Sequence, residues 1–415
     1  MSPDARDLRI DDYDYSLPDE RVARYPLPDR AAAKLLQYRD GHISSGTFRD
    51  LPDRLPPGTL LIGNRTRVIH ARLRFTLPDG RPLEIFCLEP LDPSDYARSL
   101  GSREAVRWKC LVGGNRRWKS GEISIALEVD GRPVTLTATR GERLENTFAI
   151  SFGWSSDGPA PSFGEVLEAA GSIPLPPYLG REAEASDRER YQTVFAEREG
   201  SVAAPTAGLH FTAEVMQRLA ERGVPFRTLT LHVGAGTFKP VTADTLGDHV
   251  MHREYFSVTR GFLAELHAQV AAGRPVASIG TTSMRCLESL FYFGAGLLTA
   301  GEVPKTLGQW VATDPRYAHV AVDAALAALL RWMEAKEKES FEGYTQILLT
   351  PAARPRVVDA LITNFHQPRS TLLLLVAGMV GTDWRRMYDF ALGNDYRFLS
   401  YGDSSLLWRR GAGAE

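Results

Sequence analysis

This chain of 415 residues has little cysteine and no long apolar run. Its three cysteines, Cys87, Cys110 and Cys286, lie far apart and form no CxxC pair. This indicates reduced, buried thiols and disfavours a zinc site. The longest apolar stretch, residues 372–380, is too short to span a bilayer, and the polar, acidic N-terminal segment does not fit a signal peptide. We therefore expect a cytoplasmic protein without a membrane span.

The chain also lacks an excess of either charge. Its formal net charge of −2 gives no general attraction to nucleic acid, so a polyanionic partner would need local basic patches. Two candidate patches are the pair Arg116 and Arg117, and the cluster of Arg181, Arg188 and Arg190. Such patches are more often solvated faces, so RNA binding stays open on charge alone. The 43% hydrophobic and 24% charged residues are typical of a folded protein, and the length favours two domains.

Apolar and polar residues alternate with period two between residues 73 and 152. The pattern begins at Leu73 and Phe75 and ends at Ile150 and Phe152. Asp-Gly and Gly-Gly-Asn turns interrupt it, which predicts antiparallel hairpins with one buried face. Six short strands in this stretch indicate a small barrel, because closure of a sheet removes its exposed edges.

Strands alternate with helices on either side of this stretch. Helices are predicted over residues 212–222, 262–272 and 320–338, and strands over 226–233, 275–279 and 357–365. This order favours an α/β domain with a mixed or largely parallel sheet. The predicted domains are a discontinuous α/β domain, residues 1–68 and 154–415, and an inserted small six-stranded antiparallel β-barrel domain, residues 69–153.

Several segments hold more polar side chains than a core requires. They are residues 63–68, 173–193, 203–211, 231–238, 251–254, 280–285, 362–366 and 401–403. The turn at 280–283 lies between a predicted strand and a predicted helix. Free N–H groups and hydroxyls at such a turn can hold an anion. Capping of the helix is the commoner explanation for hydroxyl side chains at this position. The segment 232–238 lacks the third glycine of a dinucleotide site. Hydrolase and P-loop motifs do not occur, so the residues alone indicate only an α/β enzyme with a polar cleft.

Taken together and in order, these segments resemble the S-adenosylmethionine:tRNA ribosyltransferase-isomerase family of queuosine biosynthesis. The similar stretches cover nearly the whole chain. They are YSLPDERVARYPLPDRAAAKLL at 15–36, NRTRVIHARL at 64–73, GSIPLPPYLGR at 171–181, DRERYQTVFA at 187–196, GSVAAPTAGLHFT at 200–212, LTLHVGAGTFKPV at 229–241, MHREYF at 251–256, GTTSMRCLES at 280–289, VVDALITNFHQPRSTLLLLV at 357–376 and YRFLSYGDSSLL at 396–407.

The resemblance implies an α/β domain interrupted by a six-stranded barrel, which agrees with the periodicity. It also implies that S-adenosylmethionine acts as a ribosyl donor rather than a methyl donor. The acceptor would be the 7-aminomethyl-7-deazaguanine base at the wobble position of the tRNA anticodon loop. The products would be epoxyqueuosine-tRNA, adenine and methionine. No metal is expected, and we expect a monomer.

This chemistry needs a base that removes the C5′ proton beside the sulfonium and an acid that assists the departure of adenine. Both functions need groups that titrate near neutrality. His210 and His252 are the first candidates, and His232 and His366 come next. Asp403 is an alternative, and the sequence leaves the choice open.

The resemblance also implies contacts to both substrates. Arg285 is expected to clamp the methionine carboxylate, Glu288 to meet a ribose hydroxyl or the amino group, and Tyr178 or Tyr191 to face the sulfonium. The expected substrate-binding residues are Asn64, Thr66, Arg67, Tyr178, Tyr191, Thr206, Gly208, His232, Thr281, Thr282, Ser283, Glu288, Asn364 and His366. The expected tRNA contacts are Arg116, Arg117, Arg181, Arg188 and Arg190.

The chain departs from the family pattern at three places. Arg65 replaces the usual aspartate of an Asn-Asp-Thr-Arg signature, Ala31 and Ala32 replace a usual Asp-Ala or Asp-Ser, and residues 351–355 replace a Pro-Gly-aromatic turn. An insertion at 291–340 precedes that last change. These departures leave two alternatives open: an S-adenosylmethionine-dependent paralogue with another acceptor, and a non-catalytic RNA-binding relative.

Overall fold

The computed structural model describes residues 4–232, 234 and 243–411. Much of the predicted polar segment 231–238 therefore lies outside the described residues. The strands, numbered in chain order, are β1 (Lys34–Arg39), β2 (His42–Thr47), β3 (Leu60–Asn64), β4 (Thr66–Val68), β5 (Arg72–Thr76), β6 (Pro82–Asp92), β7 (Val106–Gly113), β8 (Glu122–Val129), β9 (Arg132–Leu144), β10 (Thr147–Ser156), β11 (Gly171–Ser172), β12 (Arg198–Ser201), β13 (Phe226–His232), β14 (Glu254–Thr259), β15 (Val276–Ile279), β16 (Thr306–Leu307), β17 (Ser340–Thr345), β18 (Ala360–Asn364) and β19 (Ser404–Trp408).

The α-helices are α1 (Leu51–Arg54), α2 (Tyr96–Leu100), α3 (Phe163–Ala170), α4 (Asp187–Arg190), α5 (Ala213–Glu221), α6 (Arg260–Ala271), α7 (Thr281–Ala300), α8 (Val322–Ala335), α9 (Thr371–Val380) and α10 (Trp384–Gly393). The three predicted helices are confirmed as α5, α6 and α8. A side-chain hydroxyl caps the start of four helices by accepting the backbone N–H three residues ahead; the capping residues are Ser162, Thr212, Thr259 and Ser370.

The larger sheet is mixed and has ten strands in the order β16-β17-β14-β13-β3-β15-β18-β19-β1-β2. Its centre consists of four parallel strands, β13, β3, β15 and β18. The flanking strands β14 and β19 run antiparallel to them. This confirms the predicted α/β class with a mixed sheet. The carboxyl ends of the four parallel strands meet at one edge, where ligands bind in open α/β sheets.

The second sheet is antiparallel and curled. It has seven strands in the order β11-β5-β6-β7-β10-β9-β8, one more than the six predicted, because the two-residue strand β11 joins β5. β5 and β8 approach each other as the sheet curls. Within residues 69–172, all of which the structure describes, no backbone pairing joins β8 to β5 or β11. The sheet is therefore a half-barrel, and the closed six-stranded barrel stays a prediction.

Each sheet has a core of its own. The core of the curled sheet includes Trp108 and Phe152 and is covered by α3, which buries Phe163 and Leu167 against it. A larger core lies between the ten-stranded sheet and helices that include α7 and α8. The domain boundaries predicted at residues 69 and 153 stay predictions.

The three cysteines are free and buried, as predicted, and burial raises the pKa of the Cys110 and Cys286 thiols. Among the helices of the described residues, none combines the length and apolar character needed to cross a membrane.

Candidate active site

A cleft opens where the parallel strands of the larger sheet end. It encloses about 790 Å³ of empty space, a volume that includes its open mouth. Its walls are formed by Tyr178 and by residues 203–207, 280–282, 363–367, 370–372 and 399–400. The cleft brings together six of the predicted substrate-binding residues, namely Tyr178, Thr206, Thr281, Thr282, Asn364 and His366.

The start of α7 forms one wall of this cleft. β15 ends at Ile279, and Gly280 turns the chain into α7 with a φ of 85°, which a residue without Cβ adopts with little strain. Among the described residues, no side chain caps this helix end, so capping does not explain the hydroxyls of Thr281 and Thr282. Uncapped N–H groups at a helix start attract anionic groups. The predicted Ser283 follows, buried and with no hydrogen-bond partner for its hydroxyl among the described residues.

His210 ends the 3₁₀ helix Thr206–His210 beside the cleft. Its Nε2 lies 3.3 Å from the side-chain nitrogen of Asn364, which lines the cleft at the end of β18. Burial, and then the positive charge of Arg397, lowers the pKa of His210 to about 4. The imidazole is therefore neutral at pH 7, and Nε2 is an acceptor for the Asn364 amide.

His366 is a second buried histidine, and it lines the cleft directly. Its Nε2 lies 3.0 Å from the hydroxyl of Thr363, and its backbone N–H donates to the Tyr388 hydroxyl at 3.0 Å. The Tyr15 hydroxyl donates to its carbonyl oxygen. Burial lowers the pKa of His366 to about 3, so this ring is also neutral at pH 7.

Two predicted tyrosines lie one behind the other. Tyr178 lines the cleft, and its hydroxyl lies 2.5 Å from that of Ser400 on the opposite wall. Tyr191 is completely buried behind it and packs edge-on against Tyr401, with ring centroids 5.8 Å apart. Only Tyr178 of this pair lines the cleft.

Gly208 allows the 3₁₀ helix that carries His210 to pack closely against the preceding loop. A Cβ atom at Gly208 would lie 2.7 Å from the Thr193 side chain and 2.8 Å from the Phe195 ring. The glycine therefore shapes the site without lining the cleft.

Arg285 and His252 do not line the cleft but lie together in a buried ionic cluster. The Arg285 guanidinium is 2.5 Å from one oxygen of Glu254, and His252 Nε2 is 3.0 Å from the other oxygen. Burial raises the pKa of Glu254, but Arg285 and then His252 outweigh this effect and lower it below its ordinary value. Glu254 thus engages Nη1 of the guanidinium, while Nη2 is buried with no hydrogen-bond partner among the described residues. The predicted contact between Arg285 and a methionine carboxylate stays a prediction.

Asn64 and Thr66 connect two strands through the backbone of Leu231. The Asn64 side chain donates to the Leu231 carbonyl at 2.9 Å and accepts its N–H at 3.1 Å, and the Thr66 hydroxyl donates to the same carbonyl at 3.2 Å. Arg67 is exposed on β4. None of the three lines the cleft.

The unusual Arg65 has partners of its own. Its Nε donates to the Thr230 hydroxyl at 3.1 Å, and its guanidinium lies 3.5 Å from the Glu197 carboxylate. Arg65 is not among the described residues that line the cleft. The change from aspartate to arginine therefore places its charge against Glu197.

His232 joins the two sheets at the end of β13. Its ring stacks on Tyr96 of α2 with centroids 4.0 Å apart and planes 1° apart, and its Nδ1 lies 2.8 Å from the Gly200 carbonyl oxygen. Burial lowers its pKa to about 4. In the described part of the chain this histidine contacts protein on both sides.

Two predicted carboxylates accept backbone N–H groups in buried positions. Asp403 accepts from Lys34 at 2.9 Å and Arg397 at 2.8 Å. Glu288 accepts from three consecutive residues, 356–358, at 2.8 to 3.0 Å. Burial raises the pKa of both carboxyls. Both anchor loops, and neither lines the cleft.

The five predicted tRNA-binding arginines have different surroundings. Arg116 and Arg117 are exposed on the turn between β7 and β8, and Arg188 is exposed on α4. Arg181 forms a two-pronged ion pair with Asp187 at 2.7 and 2.8 Å. Arg190 donates to the carbonyls of residues 27 and 28.

The sequence prediction missed several residues of the cleft. Thr363, Gln367, Ser370 and Ser400 line it. All four lie inside the two C-terminal stretches that resemble the family, so those stretches were the available signal. Their side chains are ordinary polar groups, and only the fold brings Ser400 opposite Tyr178.

Among the described residues, no group of three or more His, Cys, Asp or Glu side chains is arranged to hold a metal ion. The described lining of the cleft offers hydroxyls, the amides of Asn364 and Gln367, the neutral imidazole of His366 and an uncapped helix start. These groups suit a polar organic ligand that carries a carboxylate.

The chain is similar in sequence to several known proteins. Residues 10–407 match the family described as queuosine biosynthesis protein. The S-adenosylmethionine:tRNA ribosyltransferase-isomerase of Aromatoleum aromaticum is 38% identical over 404 residues, 97% of this chain and 98% of that one. The enzyme of the same name from Xanthomonas euvesicatoria pv. vesicatoria is 40% identical over 404 residues, 97% of each chain. A solved S-adenosylmethionine tRNA ribosyltransferase from Thermotoga maritima is 27% identical, with a TM-score of 0.45 over 95% of this chain and 99% of that one. The chain belongs to the queuosine biosynthesis protein family.

Proposed function

We propose that this protein is an S-adenosylmethionine:tRNA ribosyltransferase-isomerase. It moves the ribosyl moiety of S-adenosylmethionine to the 7-aminomethyl-7-deazaguanine wobble base of tRNA and releases adenine and methionine. The similarity to named relatives over nearly their whole length carries this proposal. The cleft supports it, because a polar pocket at the ends of parallel strands suits a nucleoside substrate.

S-adenosylmethionine binds in the cleft as a substrate. The Tyr178 ring faces the sulfonium, a contact worth about 1 kcal/mol. The uncapped start of α7 at Thr281 and Thr282 receives the methionine carboxylate. This assigns to the helix end the role that the sequence assigns to Arg285, whose guanidinium is paired with Glu254.

His210 is the proposed base for the C5′ proton. It is neutral at pH 7, so it does not repel the sulfonium cation, and the Asn364 amide orients its ring. Its pKa of about 4 lies below the near-neutral range that suits a general base, so the proposal requires bound substrate to raise it. His366 is the proposed partner for adenine, because it lines the same cleft.

The wobble base lies in a single-stranded loop, so it can leave its stack and enter a cleft without melting a duplex. The exposed Arg116, Arg117 and Arg188 are proposed contacts to the tRNA backbone. The tRNA acceptor supports a cytoplasmic location. A monomer is the proposed state.

The decisive experiment incubates the purified protein with S-adenosylmethionine and tRNA that carries the aminomethyl-deazaguanine base. Adenine and methionine are followed by chromatography, with unmodified tRNA as the control. Release of both products only with the modified tRNA is expected. Release without that tRNA would favour another acceptor, and binding of tRNA without any release would favour a non-catalytic relative.

The role of His210 predicts a large kinetic effect of His210→Ala. We expect kcat to fall by about 10²- to 10⁴-fold, the usual contribution of a positioned acid or base. His319→Ala is the matched control, because His319 is exposed and distant in sequence from every lining segment. If His210→Ala kept kcat within about threefold of the control, His210 would not be the base.

A further inference from the structure

A second, smaller pocket adjoins the cleft. It encloses about 270 Å³ including its mouth, and its walls contain Arg30, Arg190 and Arg397. Ser400 lines both spaces. His210 lines the smaller pocket and is hydrogen-bonded to Asn364 in the larger one. The two pockets therefore adjoin at Ser400, with the proposed base on the side of the smaller one.

The three guanidinium groups are held in place by backbone carbonyls. Arg30 donates to Gln192 at 2.7 Å and Arg397 donates to Tyr401 at 2.9 Å. Arg190 donates to Pro28 at 3.1 Å, while its buried Nε has no partner among the described residues. Each guanidinium has five N–H donors, and these carbonyls leave several of them available.

The positive charge of the smaller pocket is not balanced by its walls. The described lining contains no acidic side chain. Arg397 forms an ion pair with Asp403, whose oxygen lies 3.9 Å from Nε, whereas Arg30 and Arg190 have no ion pair among the described residues. Burial and the neighbouring Arg190 lower the pKa of Arg30, so the cations repel one another. Three clustered cations with one paired carboxylate leave an excess of positive charge, which indicates an anionic ligand.

We propose that the pocket formed by Arg30, Arg190 and Arg397 binds a phosphate group of the tRNA backbone, beside the nucleotide whose base enters the cleft. This proposal rests on the proposed function. A flipped base rotates about its own backbone, so the adjacent phosphates stay at the mouth of the cleft. Three arginines suit a phosphate, because the guanidinium fork matches its oxygens and one group can receive several donors.

The test uses anticodon stem-loop RNAs in which one phosphate at a time is replaced by an uncharged methylphosphonate. Binding to the intact protein is measured by fluorescence anisotropy without turnover. One linkage next to the wobble nucleotide is expected to weaken binding by roughly 10-fold or more, the size of one lost charge-assisted contact. The same methylphosphonate is expected not to weaken RNA binding by the Arg190→Gln variant, because that variant has already lost the contact to the phosphate.

Arg331→Gln is the control variant, because it removes the same charge from an exposed position on α8. It should keep the response to the neutral linkage, whereas Arg190→Gln and Arg397→Gln should lose it. The affinity for S-adenosylmethionine, measured separately by calorimetry, should be the same in all variants. The proposal is wrong if no single linkage matters to the unaltered protein, a result that needs no variant to fold. It is also wrong if the variants lose affinity only for S-adenosylmethionine, because the anion would then be the methionine carboxylate.

The two proposals fail in different ways. A linkage-specific effect without adenine release in the turnover assay would remove the proposed function and keep the phosphate pocket. Adenine release without any linkage-specific effect would remove the phosphate pocket and keep the function.

Discussion

Replacing Glu254 with glutamine is expected to destabilise the fold by about 3 kcal/mol, the lower end of the cost of breaking a buried ion pair. Glu254 is 1% exposed and Arg285 is 4% exposed, and their charged atoms are 2.5 Å apart. Without the carboxylate, Arg285 would keep one hydrogen bond, to the Ile347 carbonyl at 3.1 Å. Glutamine has nearly the same shape as glutamate and keeps one acceptor oxygen. We therefore expect a cost at the lower end of the range for breaking a buried ion pair.

The assay is urea unfolding followed by tryptophan fluorescence at pH 7, where Glu254 is ionised because its pKa is lowered. Glu265→Gln is the matched control, since Glu265 pairs with Arg227 at the surface and such a pair contributes about 0–1 kcal/mol. The double variant Glu254→Gln/Arg285→Met should lose less unfolding free energy than the two single variants lose together. The difference should be at least about 1 kcal/mol, because the two residues interact. A loss in Glu254→Gln no larger than in the control would refute the buried ionic cluster.

Two further predictions concern stability. The pKa values of His210 and His366 are lowered to about 4 and about 3, so the unfolded chain binds protons that the folded chain does not. Stability should therefore fall as the pH drops from about 6.5 towards 4. The urea midpoint of His366→Asn should depend less on pH across this window, and an equal dependence would contradict burial of a neutral ring. Gly294→Ala in α7 should destabilise by at least about 1 kcal/mol, the lower range for overpacking, because the new Cβ would lie 2.0 Å from the Ala325 carbonyl oxygen. Gly261→Ala in α6 is its control, with nothing closer than 4.0 Å, and should stabilise by up to about 1 kcal/mol. Similar melting temperatures for the two variants would contradict the close contact of α7 and α8.

Local patterns predicted the elements but not all of their connections. Alternation revealed the strands of the curled sheet, because each has one buried face. The two-residue strand β11 is too short to show a period, so the seventh strand was missed. The strand-to-helix turn could be anticipated from the strand, the glycine and the hydroxyls that follow one another at 276–283. The sequence favoured a capped helix there, whereas the start of α7 has no side-chain cap among the described residues.

Local sequence patterns did not predict the contacts between distant segments of the chain. Arg285 follows a polar turn, and its motif favours a substrate contact. Its partner Glu254 lies 31 residues away on strand β14, and only the packing of α7 against the sheet brings the two together. Arg30 and Arg397 come from opposite ends of the chain, so no local spacing could show that they share a pocket.

The two pockets separate charge in a way that fits a cationic donor and a polyanionic acceptor. The described lining of the cleft contains no formally charged side chain at pH 7, since His366 is neutral. A cation in that wall would repel the sulfonium and weaken its binding. The arginines lie behind His210 instead, in the adjoining pocket, where they can hold a phosphate. A bound phosphate would offset the positive charge that lowers the pKa of His210 and make it a stronger base, so tRNA binding would prepare the proton transfer. Under this argument the pH at which kcat/KM for tRNA is half-maximal, which reports the enzyme without tRNA, should be lower than the pH at which kcat/KM for S-adenosylmethionine is half-maximal at saturating tRNA. Identical values would contradict it.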